Sequence, residues 1–182
     1  MPITATIDTP TAEVEETYAK AEAHFGQVPN FVKVLGNNPA FCKSLTDFMI
    51  QALGEGRIPW AFKELIILKT LRATGAYYSY GAHEKLALEL GNSPEKIGDT
   101  NHSLWRNSPH FTDGERAVFA LIEQTAVDPN DVGDEIWDPL HVNYDNGQLL
   151  EIASVINTFI NIGRMGDTLG VSDPTLFSKP VA

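Results

Sequence analysis

A chain of 182 residues is long enough for one domain with a substantial core and needs no disulfide or metal staple to hold it. With 24 acidic against 13 basic side chains the formal charge is −11, and 43% of residues are hydrophobic; this balance excludes a disordered chain and argues against nucleic acid or an anionic membrane as a partner. Cys42 is the only cysteine, which excludes an intrachain disulfide, a cysteine-based metal site and a two-thiol redox relay.

The segment Met1 to Pro10 has neither a basic stretch nor an apolar core, so no leader peptide is expected there, and the longest uncharged apolar run, between Glu151 and Arg164, is too short to span a bilayer. A cytoplasmic protein is the expectation. Prolines sit where first helical turns begin, at Thr9-Pro10, Asn38-Pro39, Ile58-Pro59 and Ser93-Pro94. The Ala- and Glu-rich stretch from Pro10 to Phe25 predicts a helix closed by Gly26. A second runs from Pro39 to Leu53, with Phe41, Leu45, Phe48 and Met49 at helical spacing, and is closed by Gly54. Two helices are predicted between Pro59 and Leu90, separated near Gly75. A short helix follows from Pro94; Asn107-Ser108-Pro109 breaks the chain, and Thr112-Asp113-Gly114-Glu115 is a capping box opening a helix to Val127. Asp134 is placed to cap a helix that Pro139 interrupts, and Asn146 to cap a long last helix from Gly147 to Leu169. With no strand alternation, repeat or low-complexity tract, the fold class is all-α.

Polar residues on apolar helix faces carry the chemical information. At 100° per residue, Glu64 shares a sector with Trp60, Ile67, Leu68 and Leu71, where a carboxylate needs a hydrogen-bonding partner or an opening onto a cavity. On the following helix, His83 groups with Ser79, Leu86, Ala87 and Leu90, with Tyr80 beside them. A lone inward His is more often a hydrogen-bonded core residue than a catalyst, and a lone Glu is as readily a structural ion pair. The two together say more, because a carboxylate beside an imidazole can take a proton at one point and return it at another. Ser79 lies one turn before His83, within reach of a hydrogen bond to it. Tyr78 and Tyr80 add phenols able to donate to a developing negative charge, although aromatic residues near a helix start commonly serve packing.

Lys63-Glu64-Leu65-Ile66-Ile67-Leu68 and Gly75-Ala76-Tyr77-Tyr78-Ser79-Tyr80-Gly81-Ala82-His83-Glu84-Lys85-Leu86-Ala87 resemble the core of the carboxymuconolactone decarboxylase and alkylhydroperoxidase D superfamily, with compatible flanks over residues 25 to 170. The resemblance implies an all-α helical bundle that is oligomeric through helix packing, as a dimer, trimer or hexamer. It also implies a division into an N-terminal arm (1–25), one helical domain (26–172) and a tail (173–182). Peroxidases of this group carry Glu, Cys-x-x-Cys and His in fixed register; Glu64 and His83 match, but Ala76 and Ser79 stand at the cysteine positions. A serine hydroxyl forms neither a sulfenic acid nor a disulfide, so peroxide reduction by that route is disfavoured. Cys42 sits among apolar residues, as a buried inert thiol would.

The decarboxylase branch implies cofactor-independent, lyase-type acid–base chemistry on a small carboxylated lactone or related organic acid. In that scheme His83 donates or shuttles the proton, Glu64 orients or recharges it, and Tyr78 or Tyr80 holds the anionic intermediate. A substrate carboxylate calls for a cation, and Arg57, Arg72 and Arg164 are available. Asn157, Asn161, Arg164 and Thr168 form a polar stripe suited to a subunit interface, a pocket wall or a solvated face. No metal or other cofactor is expected: His24, His102, His110 and His141 are scattered, and there is no phosphate loop, His-Glu-x-x-His pair or nucleophile elbow. A non-catalytic oligomer that keeps the fold is the alternative.

Overall fold

The computed structural model describes residues 5–77 and 79–171, so Tyr78 and the tail expected over 173–182 lie outside the described residues. Those residues form α1 (Glu15–Phe25), α2 (Asn30–Leu35), α3 (Pro39–Ala52), α4 (Trp60–Thr74), α5 (Tyr80–Glu89), α6 (Pro94–Gly98), a 3-10 turn (Leu104–Arg106), α7 (Asp113–Val127), α8 (Asp134–Asn143) and α9 (Asn146–Leu169).

The helix boundaries follow from capping. Asn38 caps α3 through its side chain with Pro39 in the first turn, and Thr112 with Glu115 forms the capping box of α7. Three starts differ from the sequence pattern. The helix expected from Pro10 begins at Glu15, because the exposed segment before it only makes a turn, in which the Thr11 carbonyl accepts the amides of Val14 and Glu15. The last helix is capped by Asp145 rather than Asn146: Asp145 Oδ1 accepts the amides of Gly147 and Gln148, and Gln148 Oε1 accepts the Asp145 amide in return. Gly133 is the N-cap of α8, which runs through Pro139 without interruption. The carbonyl left unpaired by that proline is Glu135, in the first turn, so the loss is confined to one end of the helix.

Helix α4 is the axis of the fold. It packs most extensively on α9, then on α7 and α5. Leu65, Ile66, Ile67, Leu68 and Leu71 meet Val118, Phe119 and Ile122 of α7 and Ile152, Val155, Ile156 and Phe159 of α9 in one cluster. Everything from Phe62 to Leu71 on α4 is buried, including Lys63, Glu64 and Lys69. Charges on so enclosed a helix must be paired. Lys63 Nζ lies 2.5 Å from Glu151 Oε1, and Lys69 Nζ bonds Glu123 Oε1 at 2.6 Å and the His102 carbonyl at 2.7 Å.

A second cluster joins α1, α2 and α3 through Val14, Tyr18, Ala21, Phe31, Val32, Leu35, Cys42 and Met49, with Ile162 of α9 reaching into it. Burial pushes the Cys42 thiol up, and its Sγ lies 3.8 Å from the Val32 carbonyl. We therefore expect Cys42 to resist an aromatic disulfide reagent in native buffer and to react as the protein unfolds in urea; a fast native reaction would contradict this burial.

Candidate active site

The inward positions of Glu64 on α4 and His83 on α5 converge as the helical spacing requires. Glu64 is fully buried, and His83 Nδ1 lies 2.7 Å from Glu64 Oε2. Trp60, one turn before Glu64, donates Nε1–H to the other carboxylate oxygen, Oε1, at 2.9 Å. Both oxygens of the buried carboxyl are thereby engaged. The His83 ring stands edge-on to Phe159 of α9, with centroids 4.7 Å apart. With Nδ1 committed to Glu64, Nε2 is the ring nitrogen left for a ligand.

That ligand has a place to sit. His83 lines a cavity of about 340 Å³ between the two hydrophobic clusters. Its walls are strongly aromatic and apolar, with Phe25, Phe31, Trp60 and Phe159 among the lining residues. Ser79 and Ala82 border it from the first turn of α5, and His24 borders it from the last turn of α1. The volume suits a small organic molecule.

The other candidates from the sequence fare unequally. Ser79 lines the cavity and is 8% exposed, but its Oγ makes no hydrogen bond, so the expected bond to His83 is absent; only the backbone is joined, through His83 N to the Ser79 carbonyl. Tyr80 is corrected more fully. Its hydroxyl accepts from Arg72 Nε at 2.9 Å and Nη2 at 2.7 Å, its ring lies under the same guanidinium, and it is not among the residues lining the cavity. The reason lies in its register: Tyr80 begins α5 and is fully buried, and Arg72 in the last turn of α4 is there to meet it. Tyr78 is outside the described residues.

None of the three arginines lines the cavity. Arg72 is held by Tyr80, Arg57 pairs with Asp145 at 2.6 Å, and Arg164 is exposed on the outer face of α9, where it lines a separate shallow depression with Asn157, Asn161 and Thr168. The cation that does reach the cavity is Lys85, an exposed side chain 3.8 Å from Glu89. Trp60, His24 and Lys85 were not evident as site residues in sequence. Trp60 could have been found, since a donor four residues before an inward Glu lies on the same helical face; His24 is 40 positions from Glu64, and nothing local marks it.

The two positions where sulfur is missing are also enclosed. Ala76 is buried, and a Cβ added at Gly163 would come within 2.7 Å of the Ala76 Cβ, so α9 approaches the α4–α5 connection closely because residue 163 is glycine. Among the described residues no group of three or more His, Cys, Asp or Glu side chains could hold a metal ion, and no helix is long and apolar enough to cross a membrane.

Residues 39–124, which include α4, α5 and the Glu64–His83 pair, match the model of the carboxymuconolactone decarboxylase family. This central segment of the chain belongs to the carboxymuconolactone decarboxylase family. No curated protein matches the chain in sequence. Among solved structures, the carboxymuconolactone decarboxylase-like chain resembles the debrominase Bmp8, in a form bound to 2,3,4-tribromopyrrole, at 20% identity and TM-score 0.75, covering 91% of this chain and 92% of that one. It also resembles an uncharacterized peroxidase-related protein from Silicibacter sp. TM1040, at 16% identity and TM-score 0.79 over 96% and 94% of the two chains. A third is an uncharacterized peroxidase-related protein with an alkylhydroperoxidase AhpD core from Ralstonia eutropha JMP134, at 16% identity and TM-score 0.79 over 97% and 96%. At these identities the likeness establishes the all-α fold of the superfamily, and this member carries that fold without a cysteine pair.

Proposed function

We propose that this protein is a cofactor-independent enzyme that performs lyase-type acid–base chemistry on a small carboxylated lactone or related organic acid, with Glu64 and His83 as the proton-handling pair. The observation that carries the reading is the 2.7 Å contact between a fully buried Glu64 and a His83 that borders an aromatic-walled cavity. In the decarboxylation step, the bond to the substrate carboxylate breaks, carbon dioxide leaves, and the electron pair is delocalised onto a conjugated carbonyl oxygen as an enolate. Protonated His83 then gives its Nε2 proton to carbon, Glu64 holds the imidazolium through Nδ1–H, and solvent returns the proton to the ring. Lys85, which borders the cavity beside Glu89, is the ammonium toward which the carboxylate of a ring seated inside would turn. The binding of 2,3,4-tribromopyrrole by the debrominase relative supports a ring-sized ligand for this cavity as well.

Deuterium oxide provides the test. A panel of carboxylated lactones is incubated with the protein, and products are read by NMR; the expected result is carbon dioxide release with one deuterium at the carbon that lost it. No release and no exchange across the panel would favour the second reading, a non-catalytic oligomer that kept the fold after losing the thiols. Thiol peroxidase activity is disfavoured by Ala76 and Ser79. We also propose that the protein is cytoplasmic and forms a homo-oligomer. Phe41, 67% exposed on α3, with the exposed Phe48 two turns further along the same face, supports such packing, and sedimentation would read it.

A further inference from the structure

An enolate intermediate needs hydrogen-bond donors at its oxygen, and Tyr80, one of the two phenols expected for that task, is tied to Arg72 and does not line the cavity. Among the described residues, two side chains that border the same cavity carry a buried polar atom with no partner. Ser79 Oγ and His24 Nε2 are both buried and unbonded, while His83 and Trp60, their polar neighbours on the wall, have their inner nitrogens committed to Glu64. A buried hydroxyl or imidazole nitrogen left without a partner is destabilising, and in native proteins such groups are normally satisfied by protein, water or ligand. We infer that Ser79 Oγ and His24 Nε2 are the donors that bind the oxyanion edge of the ligand.

The placement of both is built into the fold. Ser79 is the N-cap residue of α5 yet makes no capping bond through its side chain, so its hydroxyl remains free for a ligand beside the positive end of a ten-residue helix. His24 packs against Gly54: φ there is +84°, and a Cβ would stand 3.3 Å from His24 Cε1 and 3.7 Å from Nε2, so glycine leaves the imidazole room at the cavity wall. Edge-on packing against Phe25, with centroids 4.8 Å apart, fixes the ring. Burial pushes the His24 pKa down, which keeps the ring neutral and able to present Nε2–H as one tautomer. The donor pair therefore stabilises an enolate or phenolate oxygen through neutral hydrogen bonds in a largely apolar enclosure, where such bonds are strengthened.

This inference rests on the acid–base reading for its catalytic meaning, but its binding content is tested without turnover. The probe is 4-nitrophenol, a ring with an ionisable oxygen whose absorbance distinguishes bound phenolate from phenol. The wild-type protein should bind it, and the bound probe should ionise at lower pH than the free one. Ser79→Ala and His24→Leu should each weaken phenolate binding about threefold to tenfold, the range for one lost net hydrogen bond. His24→Gln, which restores a donor, should recover most of the loss, and thermal melts confirm that each variant is folded. Wild-type protein that fails to bind, or unchanged affinity in both Ser79→Ala and His24→Leu, overturns the assignment. Glu64→Gln separates the two ideas: if it turns over substrate normally while Ser79 and His24 still govern probe binding, the acid–base reading fails and the donor site stands.

Discussion

Glu64→Gln is expected to lower kcat on a true substrate by about 10²- to 10⁴-fold, the usual contribution of a positioned general acid–base group, with little change in KM. The amide is nearly isosteric and can still accept the Trp60 Nε1–H bond, so the cavity walls keep their shape. What it loses is the negative charge 2.7 Å from His83 Nδ1, which stabilises the imidazolium that must form and hold the ring in place. His83→Ala should reduce kcat at least as far. Because the two residues act as a unit, the double variant should be no slower than His83→Ala alone. His83→Ala also leaves Glu64 buried without its main partner, so its stability has to be measured beside its rate; Glu64→Gln is the cleaner test. Normal turnover in both single variants, with the fold intact, would remove the pair from the mechanism.

The second large effect concerns stability, at the Lys63–Glu151 pair that ties α4 to α9 one residue from the site. Lys63 is fully buried, and Glu151 Oε2 also accepts the Arg57 amide at 2.8 Å. Glu151→Ala strands the Lys63 ammonium in the core and should destabilise the protein by about 3–5 kcal/mol, whereas replacing both partners with apolar residues should be close to neutral. The difference between those two variants in urea midpoint is the decisive measurement; equal destabilisation would mean that the pair itself, and not the stranded charge, carries the energy. The pair also sets an acid limit. Burial alone pushes the Glu151 carboxyl up, but hydrogen bonds and charge from Lys63, with the Arg57 and Ile58 amides, outweigh it and hold the pKa below the usual value. The native state thus binds fewer protons than the unfolded chain in acid. The stabilisation is fully present above the unfolded Glu value of about 4.3 and is lost as pH falls through the lower native value. Glu151→Gln should flatten that acid limb, and an unchanged limb would assign acid unfolding elsewhere, with Glu123 beside Lys69 the next carboxyl to examine.

These two predictions concern features of unequal visibility in the sequence. The Glu64–His83 pair was legible because both residues lie on inward faces of adjacent helices, and a helical hairpin leaves few other places for them to go. Lys63–Glu151 was not, since a lysine in an apolar helix names no partner 88 positions away. The tyrosines show a similar limit. Helical projection put Tyr80 next to His83, but projection gives an angle around one axis and says nothing about the guanidinium that arrives from the end of α4. Ser79, assigned to His83 by spacing, instead leaves its hydroxyl unbonded at the cavity.

By itself the sequence determined what is set by nearest neighbours along the chain: an all-α architecture, most helix starts and stops, the absence of a cysteine pair, and which faces turn inward. Capping, helical periodicity and glycine termination act within a turn or two, so they can be read locally. Tertiary structure alone decided what depends on side chains far apart in the chain. It put His24 of α1 and Phe159 of α9 on the wall that His83 faces, gave Lys63 its counterion, and withdrew Tyr80 and the arginines from the cavity. Burial makes an unpartnered polar group costly, and which partner it meets is decided by packing between helices, which no local pattern encodes.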